Sequence, residues 1–131
     1  MDKTEHVLID SSVWIDYFRK GKSNVEEQVN LLLDQDMVAL CGMVELEILQ
    51  GLRGSEQAII QDLFSALHYI DAERSDFVNA GFMLNDLRQK GITIPSSDCL
   101  IAAQCIHRKL TLFTLDNDFK QIRNLKLYAY A

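Results

Sequence analysis

Residues 6–18 read HVLIDSSVWIDYF, and they predict a short strand followed directly by a helix. The apolar run before Asp10 has the length of a buried strand, and Ser11 or Ser12 is a suitable N-cap for an amphipathic helix that reaches Phe18. Asp10 is therefore expected at the carboxyl end of the first strand, where open parallel α/β sheets bind their ligands. A simple cap of the following helix is an equally good interpretation of Asp10 at this point.

The rest of the chain alternates short apolar stretches with amphipathic ones. Strands are predicted at 37–41, 68–70, 110–114 and 125–130, and helices at 25–33, 44–52, 56–67, 74–90, 96–108 and 119–122. No hairpin turn signal joins the strands, so the pattern favours βαβ units in an α/β fold, with a mainly parallel central sheet flanked by helices. Residues 1–131 are expected to form a single domain that is large enough to bury a real core.

The composition is that of an ordinary folded protein, with 48% apolar residues, 24% charged residues and a net charge of −6. No apolar run approaches the ~20 residues that span a bilayer, and the polar start of the chain is not a signal peptide. The spacing of Cys41, Cys99 and Cys105 fits neither a disulfide framework nor a zinc knuckle, and it predicts buried thiols in a reducing cytoplasm. The negative charge argues against a nucleic-acid substrate, unless a cation cancels part of it or a basic partner covers the surface.

Two further aspartates occupy positions in the sequence that are unusual for acids on a solvent-exposed surface. Asp116 follows a late strand as Asp10 follows the first one, so parallel neighbouring strands would bring both carboxylates to one edge of the sheet. Either Asp116 or Asp118 is also a suitable cap for the next helix. Asp98 lies in the first turn of a helix whose following residues are almost wholly apolar, which indicates that its carboxylate faces a site and not open water.

The helix predicted at 44–52 is too apolar for a surface element, yet it contains two glutamates. Glu45 falls within the apolar face, and Glu47 falls beside it. Periodicity alone therefore does not choose between them.

Three or four carboxylates that converge in one cleft repel one another, and a divalent cation among them relieves that repulsion. Oxygen ligands without histidine or cysteine select Mg²⁺ or Mn²⁺ over zinc. Such a site suits the hydrolysis of a phosphodiester bond, because the ion stabilises charge on the phosphate and lowers the pKa of the attacking water.

Four segments of the chain resemble the motifs of PIN-domain proteins, above all the VapC-type ribonuclease toxins. In chain order they are VLIDSSVWI at 7–15, EILQG at 47–51, DCLIAA at 98–103 and TLDNDF at 114–119. The second motif, a Glu followed by an aliphatic residue and by a Gly four positions on, selects Glu47 over Glu45. The fourth matches Asp116 better than Asp118, although Asp118 is close enough to share the role.

The resemblance implies an endoribonuclease that depends on Mg²⁺ or Mn²⁺. Its catalytic and metal-binding residues are expected to be Asp10, Glu47, Asp98 and Asp116, with Glu47 as a further ligand or as the group that orients the attacking water. Ser12 and Thr114 match small hydroxyl positions near the site, where they would orient carboxylates or bind water.

The resemblance also implies a toxin homodimer that a cognate VapB-like antitoxin keeps inactive. The C-terminal segment of the antitoxin is expected to lie in a groove beside the acidic site. Trp14, Tyr17 and Phe18 are expected either in the core or in a patch that faces the antitoxin. Where they are exposed, the apolar residues near the acidic site, such as Trp14, Phe18 and Leu52, are expected to seat hydrophobic side chains of that partner.

Other α/β proteins with acidic pockets fit the sequence less well. A phospho-acceptor receiver domain expects an adjacent pair of acids after the first strand, and a dehalogenase-like phosphatase expects Asp-x-Asp there, whereas this chain has Asp10-Ser11-Ser12. A non-catalytic PIN-like binding module is the remaining alternative, and the presence of all four acids argues against it. His6, His68 and His107 show no ligand spacing and are assigned to no catalytic role.

Overall fold

The elements of the fold follow the predicted alternation of strands and helices. The computed structural model describes residues 6–19 and 23–130, so most of the polar N-terminal stretch lies outside the described residues. The strands are β1 Val7–Ile9, β2 Val38–Cys41, β3 His68–Ile70, β4 Thr111–Phe113 and β5 Lys126–Leu127. The helices are α1 Ser11–Phe18, α2 Asn24–Asp34, α3 Gly42–Leu49, α4 Ser55–Ser65, α5 Arg74–Gln89 and α6 Ser96–Arg108, with a 3₁₀ helix at Asn117–Gln121.

The strands form one sheet in the order β3-β2-β1-β4-β5, and every neighbouring pair is parallel. This confirms the predicted α/β class. The strand order reverses between β1 and β4, because β1 leads outward to β2 and β3 while β4 lies on its other side. The carboxyl ends of β1 and β4 therefore flank the switch point of the sheet, where open α/β folds bind ligands.

The core lies on both faces of the sheet, as expected for a parallel sheet that helices cover. β1, β2 and β4 are buried along their whole length, and α6 is buried from Cys99 to Cys105. The N-terminus of α6 lies near the switch point, because Asp98 interacts there with the acids that follow β1 and β4. The burial of α6 fixes the first turn that carries Asp98.

Trp14 belongs to this core, which is one of its two predicted places, and it is not exposed to seat a partner. Its side chain is 0% exposed, stacks on Phe18 with ring centroids 5.6 Å apart, and meets Phe64 of α4 edge-on at 5.2 Å. Phe18 and Leu52 are partly buried against the same core. Helical spacing identified the apolar face of α1 correctly. It does not distinguish a face that packs inside the molecule from one that stays exposed and binds a partner.

The boundaries of several elements differ from their predicted positions. α3 begins at Gly42 and ends at Leu49, while β5 is only Lys126–Leu127 and not the six residues that the apolar pattern suggested. The expected serine cap of α6 is also absent, since Pro95 occupies the N-cap position and no side chain caps the helix. Pro95 itself has an extended backbone, and because a proline disfavours helical conformation in the residue before it, the helix begins after Pro95 and includes Ser96 and Ser97.

Two further sequence expectations concern the cysteines and the membrane. Cys41, Cys99 and Cys105 are free and buried, and burial raises the pKa of Cys41 to about 11, so this thiol stays protonated. Within residues 6–19 and 23–130, no helix is both long enough and apolar enough to cross a membrane.

Candidate active site

Asp10 sits at the junction between β1 and α1, and the fold holds it there from both sides. Its backbone N–H donates to the carbonyl of Phe113 at 2.9 Å, which extends the β1–β4 ladder by one residue. Its own carbonyl accepts from Val13 and Trp14, which starts α1. Asp10 is the N-cap residue of α1, but its side chain makes no capping hydrogen bond and is only 4% exposed. The carboxylate is thus directed into the molecule.

Two hydroxyl groups bind this buried carboxylate. Ser12 and Thr114 both donate to Oδ2 of Asp10, each at 2.8 Å. The same two hydroxyl oxygens accept from backbone N–H groups of the loop after β4: Ser12 from Leu115 at 3.1 Å and Thr114 from Asp116 at 3.0 Å. These bonds tie the loop that carries Asp116 to the residue at the end of β1. Hydrogen bonds to a charged group are each worth about 1.5–3 kcal/mol, which offsets part of the cost of burying the carboxylate.

Asp98 reaches the same point from α6. Burial raises the pKa of its carboxyl group from 3.8 to about 6, and repulsion from Asp10, Asp116, Glu47 and Asp118 adds to the rise. An acid in the first turn of a helix normally has a lowered pKa, because the helix dipole favours the anion. The raised value therefore shows that burial and crowding with like charges outweigh the dipole.

Glu47, and not Glu45, is the glutamate of α3 that joins this group. Its Oε1 accepts from the hydroxyl of Ser11 at 3.3 Å, while burial and the charge of Asp10 raise its pKa. Glu45 lies on the other side of α3, where its charge acts on the hydroxyl of Tyr69. A Cβ on Gly51 would meet only the carbonyl of Ile48 at 3.7 Å, so steric crowding does not account for the motif's glycine.

Asp116 caps the following 3₁₀ helix and also contributes its charge to this group of acids. Its Oδ1 accepts from the backbone N–H of Asp118 at 2.9 Å and so caps the 3₁₀ helix, while its charge acts on Asp98. Asp118 is exposed and acts more weakly on Asp98 than Asp116 does. We name Asp10, Glu47, Asp98 and Asp116 the acidic cluster.

The acidic cluster has the chemistry of a site for a hard divalent cation. Its donors are carboxylate oxygens at the switch point of the sheet, and the raised pKa values of Asp98 and Glu47 show that the charges are not compensated within the protein. Oxygen donors of this kind suit Mg²⁺ or Mn²⁺. A cation bound among them would relieve the repulsion that adds to burial in raising these pKa values.

A second group of acids lies where α5 begins and α6 ends. Glu73, Asp76 and His107 each offer one ligand atom within 4.8 Å of the others. However, the guanidinium of Arg108 already lies 3.0 Å from the buried carboxylate of Asp76 and 3.6 Å from Glu73. Burial by itself would raise the pKa of Asp76, but hydrogen bonds from the Glu73 backbone, Arg108 and His107 lower it on balance. The group therefore clamps α5 to α6 as an ion-pair network, in which Arg108 already pairs with both carboxylates.

Sequence reasoning missed one contact of the site and the ion-pair network. The hydrogen bond from Ser11 to Glu47 joins residues 36 apart in the chain, and the one from His107 to Asp76 joins residues 31 apart. No local spacing signals either contact. The hydroxyls of Ser12 and Thr114 were placed near the site only through the motifs, and the structure shows both bound to Asp10.

Comparison with known proteins gives consistent matches over nearly the whole chain. The family model described as "PIN domain" matches residues 7–125. Ribonuclease VapC11 of Mycobacterium tuberculosis is 32% identical over 124 residues, which is 91% of this chain and 92% of that protein. Ribonuclease VapC2 of Rickettsia felis is 27% identical over 126 residues, covering 92% and 94% of the two chains.

Solved structures show the same likeness. A chain in the crystal structure of VapBC2 from Rickettsia felis, bound to a DNA fragment from its promoter, superposes with a TM-score of 0.80 and 25% identity. The superposition covers 95% of this chain and 98% of that one.

Proposed function

The chain belongs to the PIN domain family, and on that premise we propose that it is an endoribonuclease that hydrolyses RNA with Mg²⁺ or Mn²⁺. The observation that carries the proposal is the convergence of the acidic cluster at the switch point of the sheet, where burial first and then repulsion from the neighbouring acids raise the pKa of Asp98 to about 6. Charges arranged in this way cost folding free energy unless a ligand compensates them, so the arrangement favours a functional role over a structural one. The similarity to VapC ribonucleases supports RNA as the substrate.

Each residue of the acidic cluster has a role in this proposal. Asp10, Asp98 and Asp116 would hold the ion, while Glu47 would be a further ligand or would orient the attacking water. The bound ion supplies charge stabilisation at the phosphate and lowers the pKa of a water molecule. Ser12 and Thr114 fix the carboxylate of Asp10 with one oxygen engaged, so its other oxygen remains to bind. Catalysis of this kind rests on positioning and electrostatics, and no protein nucleophile is needed.

We further propose that the chain is the toxin of a type II toxin–antitoxin pair in the cytoplasm. The likeness to a chain of the VapBC2 complex supports a VapB-like antitoxin as its partner. A cytoplasmic location agrees with the three free cysteines. A homodimer is also part of this proposal, and the exposed apolar side chains of α5, Phe77, Val78 and Phe82, are the surface that supports it.

The decisive test is RNA cleavage by the purified chain. We expect cleavage of single-stranded RNA with Mg²⁺ or Mn²⁺, and none after excess chelator is added. The Asp10→Asn variant, purified in parallel, controls for contaminating nucleases and should be inactive with either ion. Cleavage that persists in chelator would overturn the proposed mechanism. Binding of RNA without any cleavage would instead favour a non-catalytic module.

A further inference from the structure

An open cleft of about 300 Å³ adjoins the acidic cluster on the side of β4 and β5. Thr114 and Asp116 form the end of the cleft that it shares with the cluster. Asn117, Lys120, Tyr128 and Tyr130 line the rest of it. Its volume lies at the small end of the range for ligand pockets, which suits a single nucleotide and not a duplex.

The aromatic wall of the cleft rests on Phe113, the last residue of β4. The ring of Tyr128 lies 4.7 Å from the Phe113 ring, and the ring of Tyr130 lies 5.1 Å from it. The hydroxyl of Tyr128 donates to Gln28 on α2 at 2.7 Å, and its backbone N–H donates to Leu112 at 2.8 Å, so this part of the wall is fixed. Tyr130 is 37% exposed and therefore presents part of its ring to the cleft.

The polar groups of the cleft complement a nucleotide. Lys120 lies on the 3₁₀ helix that Asp116 caps, and within residues 6–19 and 23–130 no carboxylate comes within 4.0 Å of its ammonium group. A cation without a carboxylate partner is notable beside an acidic cluster in a protein of net charge −6, since the nearby carboxylates would otherwise repel a phosphate. The exposed amide of Asn117 can both donate to and accept from the edge of a base.

We infer that this cleft holds the nucleotide next to the cleaved phosphodiester bond of a single-stranded RNA. The base stacks on Tyr130, and the phosphate of the nucleotide pairs with Lys120. Stacking on an aromatic ring accepts any base, so the cleft supplies affinity and position, while Asn117 supplies a preference among bases. The inference rests on the proposed ribonuclease function, because the acidic cluster defines which phosphate lies at the end of the cleft.

The test measures RNA binding separately from cleavage. All variants are made in a Glu47→Gln chain, which keeps the bound RNA intact. The dissociation constant of a fluorescein-labelled single-stranded RNA of mixed sequence is then measured by anisotropy with Mg²⁺. We expect Tyr130→Leu to raise the Kd by about 5- to 150-fold, the loss that corresponds to one stacked base, and Tyr130→Phe to leave it within about twofold. The Phe variant retains the ring and so isolates stacking.

Lys120 has a control of equal charge. Lys120→Gln and Lys90→Gln both change the net charge by the same amount, but Lys90 lies at the far end of α5, where it pairs with Asp86. We expect Lys120→Gln to weaken binding several-fold more than Lys90→Gln and to reduce its salt dependence.

Equal Kd values for Tyr130→Leu and Tyr130→Phe, or for the two lysine variants, would overturn the inference, as would the absence of any RNA binding. If the wild type cleaves RNA and the Kd values are equal, the ribonuclease function is retained and the role of the cleft in RNA binding is rejected. If binding depends on the ring of Tyr130 but the wild type does not cleave RNA, the ribonuclease function is excluded and the cleft remains only as an RNA-binding site.

Discussion

The two glutamates of α3 differ in what lies beside them. Glu47 accepts a hydrogen bond from Ser11 and is repelled by Asp10, whereas Glu45 is turned toward Tyr69. The motif had already selected Glu47, and the geometry agrees with that choice. Periodicity alone could not have made it, because α3 is almost wholly apolar and offers no clear polar face that would favour one glutamate over the other.

Exchange of each glutamate for glutamine separates their roles. Glu47→Gln removes a charge from the acidic cluster without changing its shape, so we expect it to lower the rate of RNA cleavage by at least about 100-fold. Glu45→Gln removes the same charge two residues away and should retain most of the activity. Thermal melting and circular dichroism of both variants verify that they are folded. If Glu45→Gln were the inactive variant, the motif would have been placed on the wrong residue.

Asp98 makes the stability of the protein depend on pH in a direction that is unusual for an acid. Its pKa in the folded protein is about 6, above its ordinary 3.8, so between these values the folded state binds more protons than the unfolded one. The contribution of Asp98 to stability is therefore fully present below about pH 3.8 and is lost as the pH rises through 6.

Asp98→Asn should remove the loss of stability that the charged carboxylate of Asp98 causes at neutral pH. We expect the variant to melt a few degrees above the wild type in chelator at pH 7, with a difference that shrinks toward pH 4. Added Mg²⁺ should raise the melting temperature of the wild type more than that of the variant, because the ion binds the folded state through this carboxylate. Melting curves with and without Mg²⁺ at both pH values test this. Identical melting of the two proteins throughout would mean that Asp98 merely starts its helix.

The hydrogen bonds to Asp10 include contacts that the local sequence around each residue does not reveal. Ser12 was a candidate helix cap, and its hydroxyl instead donates to Asp10 and accepts from the backbone of Leu115. Thr114, a second donor to Asp10, is 104 residues away in the chain. Apolar runs identify the acids that follow them and the motifs place both hydroxyls near the site, but the pairing of β1 with β4 is what brings Thr114 to Asp10.

At the scale of elements, the sequence predicted every strand and helix but not which helix faces are covered. Trp14 on α1 and Phe82 on α5 both follow helical periodicity, yet Trp14 is fully buried and Phe82 is 70% exposed. α1 is covered by α4 through Phe64. α5 packs on α6 through its other side, where Ala80 and Leu87 are buried. The difference arises from the packing of neighbouring elements, which local patterns do not contain.

The uncovered face of α5 is where we expect a second copy of the chain. Phe77, Val78 and Phe82 are exposed there, beside an open cavity of about 310 Å³ whose lining includes Gly81 and Leu100. Protruding rings next to a cavity suit a symmetric contact, in which each copy fills the cavity of the other. The family resemblance supplies the expectation of a dimer, and this face is the apolar surface best suited to it.

Phe82→Asp should convert such a dimer into a monomer, because it places a charge in the centre of the contact. Light scattering during size-exclusion chromatography measures the mass directly. Ile59→Asp is the matched control, since it adds the same charge to an equally exposed apolar position on α4 and should leave the dimer intact. A wild-type chain that is monomeric at high concentration would contradict the expectation.

At the scale of the whole molecule, topology explains why residues far apart in the chain meet. Asp10 follows β1 and Asp116 follows β4, and these strands are neighbours across the switch point of the sheet. α6 places Asp98 at the same edge, and α3 places Glu47 there. The alternation of strands and helices predicted a parallel sheet, and a parallel sheet brings the carboxyl ends of its strands to one edge. The order of the strands, which decides the neighbours, follows only from tertiary packing.

The negative charge of the molecule favours a partner segment that carries basic side chains. A metal-free acidic cluster is a strong counter-charge for an Arg or Lys of an antitoxin segment. Since Trp14 is buried, we expect such a segment to contact other apolar side chains, among them Ile15, Leu46 and Ile59, which are exposed on α1, α3 and α4. Ile15 lies one turn beyond Ser11, the residue that donates to Glu47, and Leu46 directly precedes Glu47 in α3.

We expect the chain to be toxic when it is expressed alone, because an uninhibited ribonuclease cuts the RNA of its host, and to be tolerated together with its antitoxin. The tagged wild type should copurify with that partner. Ile15→Ala combined with Leu46→Ala should weaken the complex with little loss of stability, since both side chains are largely in solvent already. Leu31→Ala removes a side chain of α2 that is as exposed as Ile15 and serves as the control. Harmless high-level expression without any copurifying partner would count against the toxin role, while RNA cleavage by that same preparation would leave the nuclease role intact.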